Sequence, residues 1–357
     1  MKRIKLIVIG LGIASCTMAQ DSTKTEEFKP SGKVLGKVFA NFHYDLTQDA
    51  NRSAFEITRA YFGYNHNFSK KVSGSILMDV GSDDVSVYTA YLKNAYLKWQ
   101  TTEKLTISFG LAGTKQFGEQ ERIWGYRYVT KSFQDEHKFG SSADMGVYID
   151  YKMNDYVQLD LTVNNGEGYK KAQDADGDYK YGVGLSLKPI KGLLIRGYFD
   201  MVTIPTKGDT ITGLKESQST IAAFIGYKHD KFRIGAEYNI QTNQGSNLGE
   251  NLTGISGYLT VVLSKKLEVF ARYDLLTSVK IDSKDLNNWN NGKDGSAIIG
   301  GFQYKPVKDV AVSVNYQGWT PEQGKDIEID PNTSFPVEVD TKYVQNPMVF
   351  LNLEYKF

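Results

Sequence analysis

The chain has 357 residues, with 42 Lys+Arg against 41 Asp+Glu, 41% hydrophobic and 13% aromatic residues, and a formal net charge of +1. That balance argues against a nucleic-acid binder, which needs a net basic surface. After residue 19 no apolar run is long enough to cross a bilayer as a helix, and a single cysteine, Cys16, excludes a disulfide framework.

At the amino end, Lys2, Arg3 and Lys5 precede the apolar run Leu6 to Ala14. This run is too short for a membrane helix and is followed by small residues, so residues 1–19 read as a removable export signal, with Thr17-Met18-Ala19 permitting cleavage before Gln20. Ile13-Ala14-Ser15-Cys16 also meets the pattern that precedes a lipidated cysteine, which leaves lipidation as the alternative to loss of Cys16 with the leader. Residues 20–32 are polar, contain Pro30 and form a flexible leader too short for a plug domain.

From residue 33 to 357 the chain alternates between apolar and polar residues in short segments. The predicted strands are 34–46, 54–67, 71–81, 86–100, 103–113, 143–152, 155–164, 179–189, 191–203, 217–229, 231–242, 252–264, 266–277, 294–305, 307–317 and 346–357. In the thirteenth, Leu267, Val269, Ala271, Tyr273 and Leu275 share one face, and Glu268, Phe270, Arg272 and Asp274 share the other. A slip of one residue would move three charges into hydrocarbon, at about 2–4 kcal/mol for an arginine and less for an acid. Short connections such as 67–71 and 264–266 alternate with long ones, of which 114–142 and 318–345 are the longest. Trp99, Tyr151, Tyr227, Tyr304 and Phe357 mark one end of the strands, and Tyr44, Phe199, Tyr273 and Tyr316 approach the other, as in two interfacial aromatic belts. The last strand ends on Phe357 with Leu351, Leu353 and Tyr355 on the same face.

These patterns predict an all-β fold: a sixteen-stranded antiparallel transmembrane β-barrel with short periplasmic turns, long extracellular loops and an inward-folded third loop. The location this implies is the outer membrane of a Gram-negative cell. Two segments break the alternation. In 54–67 Arg59 shares a parity with Phe55, Ile57 and Tyr61, and in 86–100 the apolar face switches near Lys93-Asn94. A β-bulge is one explanation, and a contact between subunits of a homotrimer is another.

The third long connection carries Lys115, Arg122, Arg127 and Lys131 among acids and aromatic residues, which suits a segment that narrows an aqueous lumen. Glu56-Ile57-Thr58-Arg59-Ala60-Tyr61, Leu92 to Leu97, Phe109-Gly110 with Gln116-Phe117-Gly118-Glu119, Gly166-Glu167-Gly168-Tyr169, and Glu268 to Asp274 together resemble the phosphate-selective porins O and P. The resemblance implies a trimeric diffusion channel for small polar or anionic solutes, embedded in the lipid bilayer, with no cofactor and no nucleic-acid partner. An anion-binding constriction is then expected at Lys115, Arg122, Arg127, Lys131, Arg59 and Arg272. Inward-facing Asp45, Asp79, Asp150, Asp160, Asp200, Glu237, Glu268 and Asp274 are interleaved with the cations, which moderates any field favouring anions. The alternative is a surface-exposed barrel with an enzymatic or adhesive role. The histidines His43, His66, His137 and His229 are scattered without catalytic or metal-ligand spacing, and Asp174 to Asp178 lacks the distant glutamate of a calcium loop.

Overall fold

The computed structural model describes residues 28–47, 52–81, 88–173, 177–203, 216–278, 289–290, 292–322, 324–329, 336–341 and 346–357. The export-signal residues, Cys16, most of 20–32 and Asp174 to Asp176 lie outside them. The strands of the wall are β1 (Ser31–Asp45), β2 (Ser53–Asn67), β3 (Val72–Gly81), β4 (Thr89–Gln100), β5 (Leu105–Gly113), β6 (Ala143–Lys152), β7 (Val157–Asn164), β8 (Lys180–Leu187), β9 (Leu193–Val202), β10 (Ser219–Lys228), β11 (Phe232–Thr242), β12 (Leu252–Val262), β13 (Leu267–Ser278), β14 (Gly295–Val307), β15 (Val310–Pro321) and β18 (Asn346–Lys356). Each pairs antiparallel with its neighbours, and β1 pairs with both β2 and β18, so the sixteen strands form a closed barrel.

Closure removes the free strand edges that an open sheet would expose. At the seam Lys37 lies opposite Lys356, and the backbone groups of Gly36 and Phe357 exchange hydrogen bonds of 3.0 and 3.1 Å. The terminal ring fills the space a side chain would take at Gly36, which explains a glycine in this outward-facing position.

Period-two burial follows the predicted faces. Along β13, Phe270, Arg272 and Asp274 are buried toward the lumen, whereas Ala271 and Tyr273 are exposed on the outside. Four of the turns share a local device: Ser69, Thr102, Asn154 and Ser264 each accept two backbone N–H groups from the residues two and three positions on. Such side chains replace ladder partners where the strand reverses, and they set the tight end of these hairpins.

Both irregular segments contain a bulge. Phe39 pairs with Arg59 and Ala40 with Ile57, so Thr58 is an extra residue in β2; Leu77 pairs with Asn94 and Met78 with Leu92, so Lys93 is extra in β4. Each insertion switches the outward parity. Phe55 and Ile57 point outward before the first bulge and Phe62 and Tyr64 after it; Tyr88 and Leu92 precede the second, and Leu97 and Trp99 follow it. Both halves of each strand thereby keep an apolar face on the outside of the barrel.

The final long connection differs from expectation. β15 continues to Pro321, and a separate hairpin pairs β16 (Gly324–Ile329) with β17 (Pro336–Thr341). The period-two signal of Ile327 and Ile329, then Val337 and Val339, is present in the sequence but stands within the long connection 318–345.

Candidate pore constriction

The segment 114–142 leaves β5, folds into the lumen and returns to β6. It contains two short helices, α1 (Gly118–Trp124) and α2 (Phe133–Glu136). Glu119 and Glu121 sit in the first turn of α1, where they suit the helix dipole. Gly125, at φ 76°, closes the last turn by donating to the Glu121 carbonyl, a backbone conformation that favours glycine.

This loop crosses the whole barrel. The Tyr126 hydroxyl donates to Glu268 at 2.6 Å on β13, which lies eight strands from β5 in either direction round the ring. Tyr128 reaches Gln303 on β14 at 3.0 Å, and its ring stands 6.4 Å from that of Phe39 on β1. Trp124, Tyr126, Tyr258 and Phe270 form an aromatic cluster with ring separations of 4.3–5.9 Å. The Arg233 guanidinium lies 4.9 Å from the Tyr126 ring, and that of Arg272 lies 5.2 Å from Trp124. Gly254 on the inner wall leaves the space that the Phe133 ring occupies.

A loop buried inside a barrel carries carbonyl groups that need donors. Inward side chains of the wall supply them: Arg196 donates to Lys115 O at 2.7 Å, Arg272 to Lys131 O at 2.6 Å, Gln241 to Phe139 O at 2.8 Å, Gln317 to Val129 O at 3.1 Å and Asn352 to Tyr128 O at 3.2 Å. Each inward cation of β8–β13 has a carboxylate here, with Arg196 on Asp160 at 2.6 Å, Lys180 on Asp200 at 2.7 Å, Arg233 on Glu268 at 3.1 Å and Arg272 on Asp274 at 2.5 Å, while Lys305 approaches Glu268 at 4.0 Å and the buried Glu237 is held by Gln134 and Asn239. Their fields largely cancel, and they brace the loop.

Between the loop and β1–β4 the cations outnumber the acids. Asp79 on β3 receives Arg59 at 2.8 Å and also faces Lys93 at 3.6 Å, so one carboxylate serves two cations. The bulges at Thr58 and Lys93 are what bring those cations to face it. Tyr169, from the connection after β7, reaches across to donate to Asp79 at 2.6 Å and to accept from Arg59 at 3.3 Å. Burial, followed by the neighbouring Asp79, pushes the Tyr169 hydroxyl above its ordinary value and keeps it a donor. Lys170 follows, 5.1 Å above the Tyr91 ring; burial and then the nearby Arg59 hold its ammonium below the usual lysine range. From the loop side, Arg127 contacts Glu121 at 3.2 Å and Asp135 at 3.0 Å, and Lys131 approaches Glu136 at 3.9 Å. Among the described residues Lys37, Arg59, Lys93, Arg127, Lys131, Lys170 and Lys356 thus gather around Asp79, Glu121, Asp135, Glu136 and Glu354, seven cations against five carboxylates. A cavity of about 480 Å³ opens beside them, lined by Lys37, Tyr61, Lys93 and Arg127 and reaching Phe357 at the seam.

Of the six residues expected at a constriction, Arg59, Arg127 and Lys131 come together in this passage. The other three lie elsewhere. Lys115 pairs with Asp150 at 2.7 Å, Arg272 with Asp274, and Arg122, 70% exposed, with Glu119 at 2.9 Å. Sequence reading missed the joint role of Asp79, Lys93, Tyr169 and Lys170. The parity switch at Lys93 and the Gly166-Glu167-Gly168-Tyr169 run were the available signals, but neither states which wall it faces. The four histidines are dispersed: His43 contacts Asn41 and Glu56, His66 stacks near Tyr64, His137 lies between Phe133 and Trp319, and His229 sits in a turn.

No protein-family model and no curated protein sequence matches this chain. Solved structures do. An anion-selective porin from Comamonas acidovorans is similar at a TM-score of 0.63 and 10% identity, covering 92% of this chain and 100% of that one. The outer-membrane channel DcaP of Acinetobacter baumannii gives 0.61 and 13%, over 92% and 97% of the two chains. The trimer form of in-vitro folded OmpT, an outer-membrane protein of Vibrio cholerae, gives 0.57 and 13%, over 92% and 99%. At such identities the likeness is one of fold, and the fold is that of the porin barrels of Gram-negative outer membranes.

Proposed function

We propose that this chain is a passive diffusion channel of the outer membrane for small hydrophilic solutes, mildly favouring anions and working as a homotrimer. The observation that carries the anion preference is the gathering of Lys37, Arg59, Lys93, Arg127, Lys131, Lys170 and Lys356 around five carboxylates, Asp79, Glu121, Asp135, Glu136 and Glu354, which leaves an excess of two cations at the narrow passage. In a wet, screened lumen, two excess charges about 6 Å from a monovalent anion favour it by about 1 kcal/mol, a several-fold preference. That is far from a phosphate-specific site. The motif resemblance to the phosphate-selective porins O and P supports an anionic solute class without raising this figure. Arg59, Arg127 and Lys131 act with Lys93 and Lys170 at the constriction, while Lys115 and Arg272 hold the loop that shapes it. The apolar outer faces of the bulged strands β2 and β4 are where the subunits meet.

Single-channel recording of the purified mature protein in a potassium chloride gradient tests this reading. Stepwise conductance with a reversal potential favouring chloride is expected. In Arg127→Ala the preference should vanish or reverse, because Glu121 and Asp135 lose their cation. Absence of conductance refutes the channel, and a cation preference indifferent to Arg127→Ala refutes the constriction. Chemical cross-linking in detergent should yield a trimeric band.

A further inference from the structure

On the outer side of the inward loop, a second cavity of about 460 Å³ is walled by β12–β15, β18 and the loop. Leu276, Ile299, Phe350 and Trp319 form an apolar side where inward positions elsewhere are mostly polar, and His137, Lys138 and Lys293 stand at its edge. The acids nearby are engaged: Asp274 is held by Arg272, and Glu136 lies 3.9 Å from Lys131. Among the described residues neither Lys138 nor Lys293 has a carboxylate within 4.0 Å, and the buried Nε2 of His137 makes no hydrogen bond. Lys138 is also held at φ 58°, a left-handed conformation that a lysine adopts at a cost and that recurs at ligand clamps. A volume of this size, apolar on one side with a few convergent polar groups, matches a small-molecule site.

We propose that this vestibule is a binding subsite for small solutes with an apolar ring and an anionic edge, such as a ring carboxylate. The ring lies against Trp319 and Leu276, and the carboxylate meets Lys138 and Lys293. This subsite rests on the channel reading only for its place on a permeation route, because binding can be measured without conduction.

The test uses the purified full-length barrel and three probes: benzoate, acetate, which has the charge alone, and benzyl alcohol, which has the ring alone. Benzoate should perturb tryptophan fluorescence saturably and, added from the loop side, interrupt the single-channel current. Acetate and benzyl alcohol should each bind at least about tenfold more weakly, and Trp319→Ala or Lys138→Gln should weaken benzoate by about the same factor with conductance retained. Equal binding of acetate and benzoate, or unchanged benzoate affinity in both variants, overturns the subsite. Normal conductance without benzoate binding defeats the subsite alone, whereas benzoate binding without conductance defeats only the channel.

Discussion

The two sides of the barrel wall use one alternation rule to different ends. From β7 to β13 the period of two runs without a break, each inward cation has a carboxylate of its own, and the donors left over hold the carbonyls of the crossing loop. From β1 to β4 two single-residue bulges interrupt the ladder, and the cations outnumber the acids that face them. Regular strands make a scaffold whose charges are spent on holding it together. Bulged strands give up ladder pairing locally and aim an unbalanced charge into the passage.

The largest effect should come from deleting one residue on each side. Removing Thr58 erases a bulge and leaves both flanking halves of β2 with their apolar residues outward, so heat-modifiable gel mobility should report a folded barrel. Removing Ala236 from β11 flips one half of a regular strand and turns Arg233 or Glu237 toward lipid, at about 2–4 kcal/mol for the arginine alone, and assembly should fail. Equal tolerance of the two deletions would erase the distinction between the sides. Next in size, replacing residues 118–137 by a short Gly-Ser link should raise single-channel conductance several-fold, since a sixteen-stranded barrel without an obstruction encloses an open aqueous channel. Unchanged conductance would show that the loop does not limit flow.

Asp79→Asn sharpens the charge contrast. Without that carboxylate, Arg59 and Lys93 are uncompensated, so chloride preference should rise by a few-fold in reversal-potential measurements, whereas Asp160→Asn on the braced side should leave selectivity nearly unchanged. The smallest effect concerns pH. Burial in the loop holds His137 below the ordinary histidine value of 6.5, so the folded loop takes up its proton less readily than the unfolded chain does. Stability from this group is therefore complete above pH about 6.5 and declines as the pH falls toward the lowered folded value. Hydrogen exchange of residues 133–139 should quicken modestly between pH 7 and 5, and His137→Gln should remove the dependence.

Much of this fold was legible because a strand between lipid and water must alternate, and alternation is a local property of the chain. Leu267 to Leu275 alone settles which side of β13 is wet, and Thr58 and Lys93 announce themselves as breaks in parity. The hairpin of β16 and β17 was passed over because two short strands that pair only with each other leave a weak signal inside a long connection. Local pattern thus determined the number of wall strands, the faces, the barrel and the presence of mixed charge inside it. Partnership between charges was decided in three dimensions. Tyr169 meets Asp79 across 90 residues of sequence, and Tyr126 meets Glu268 across 142. Such contacts depend on where closure of the ring and the path of an inward loop bring distant side chains, and Coulomb energies at 3 Å and at 10 Å differ enough to separate a paired brace from an unbalanced cluster.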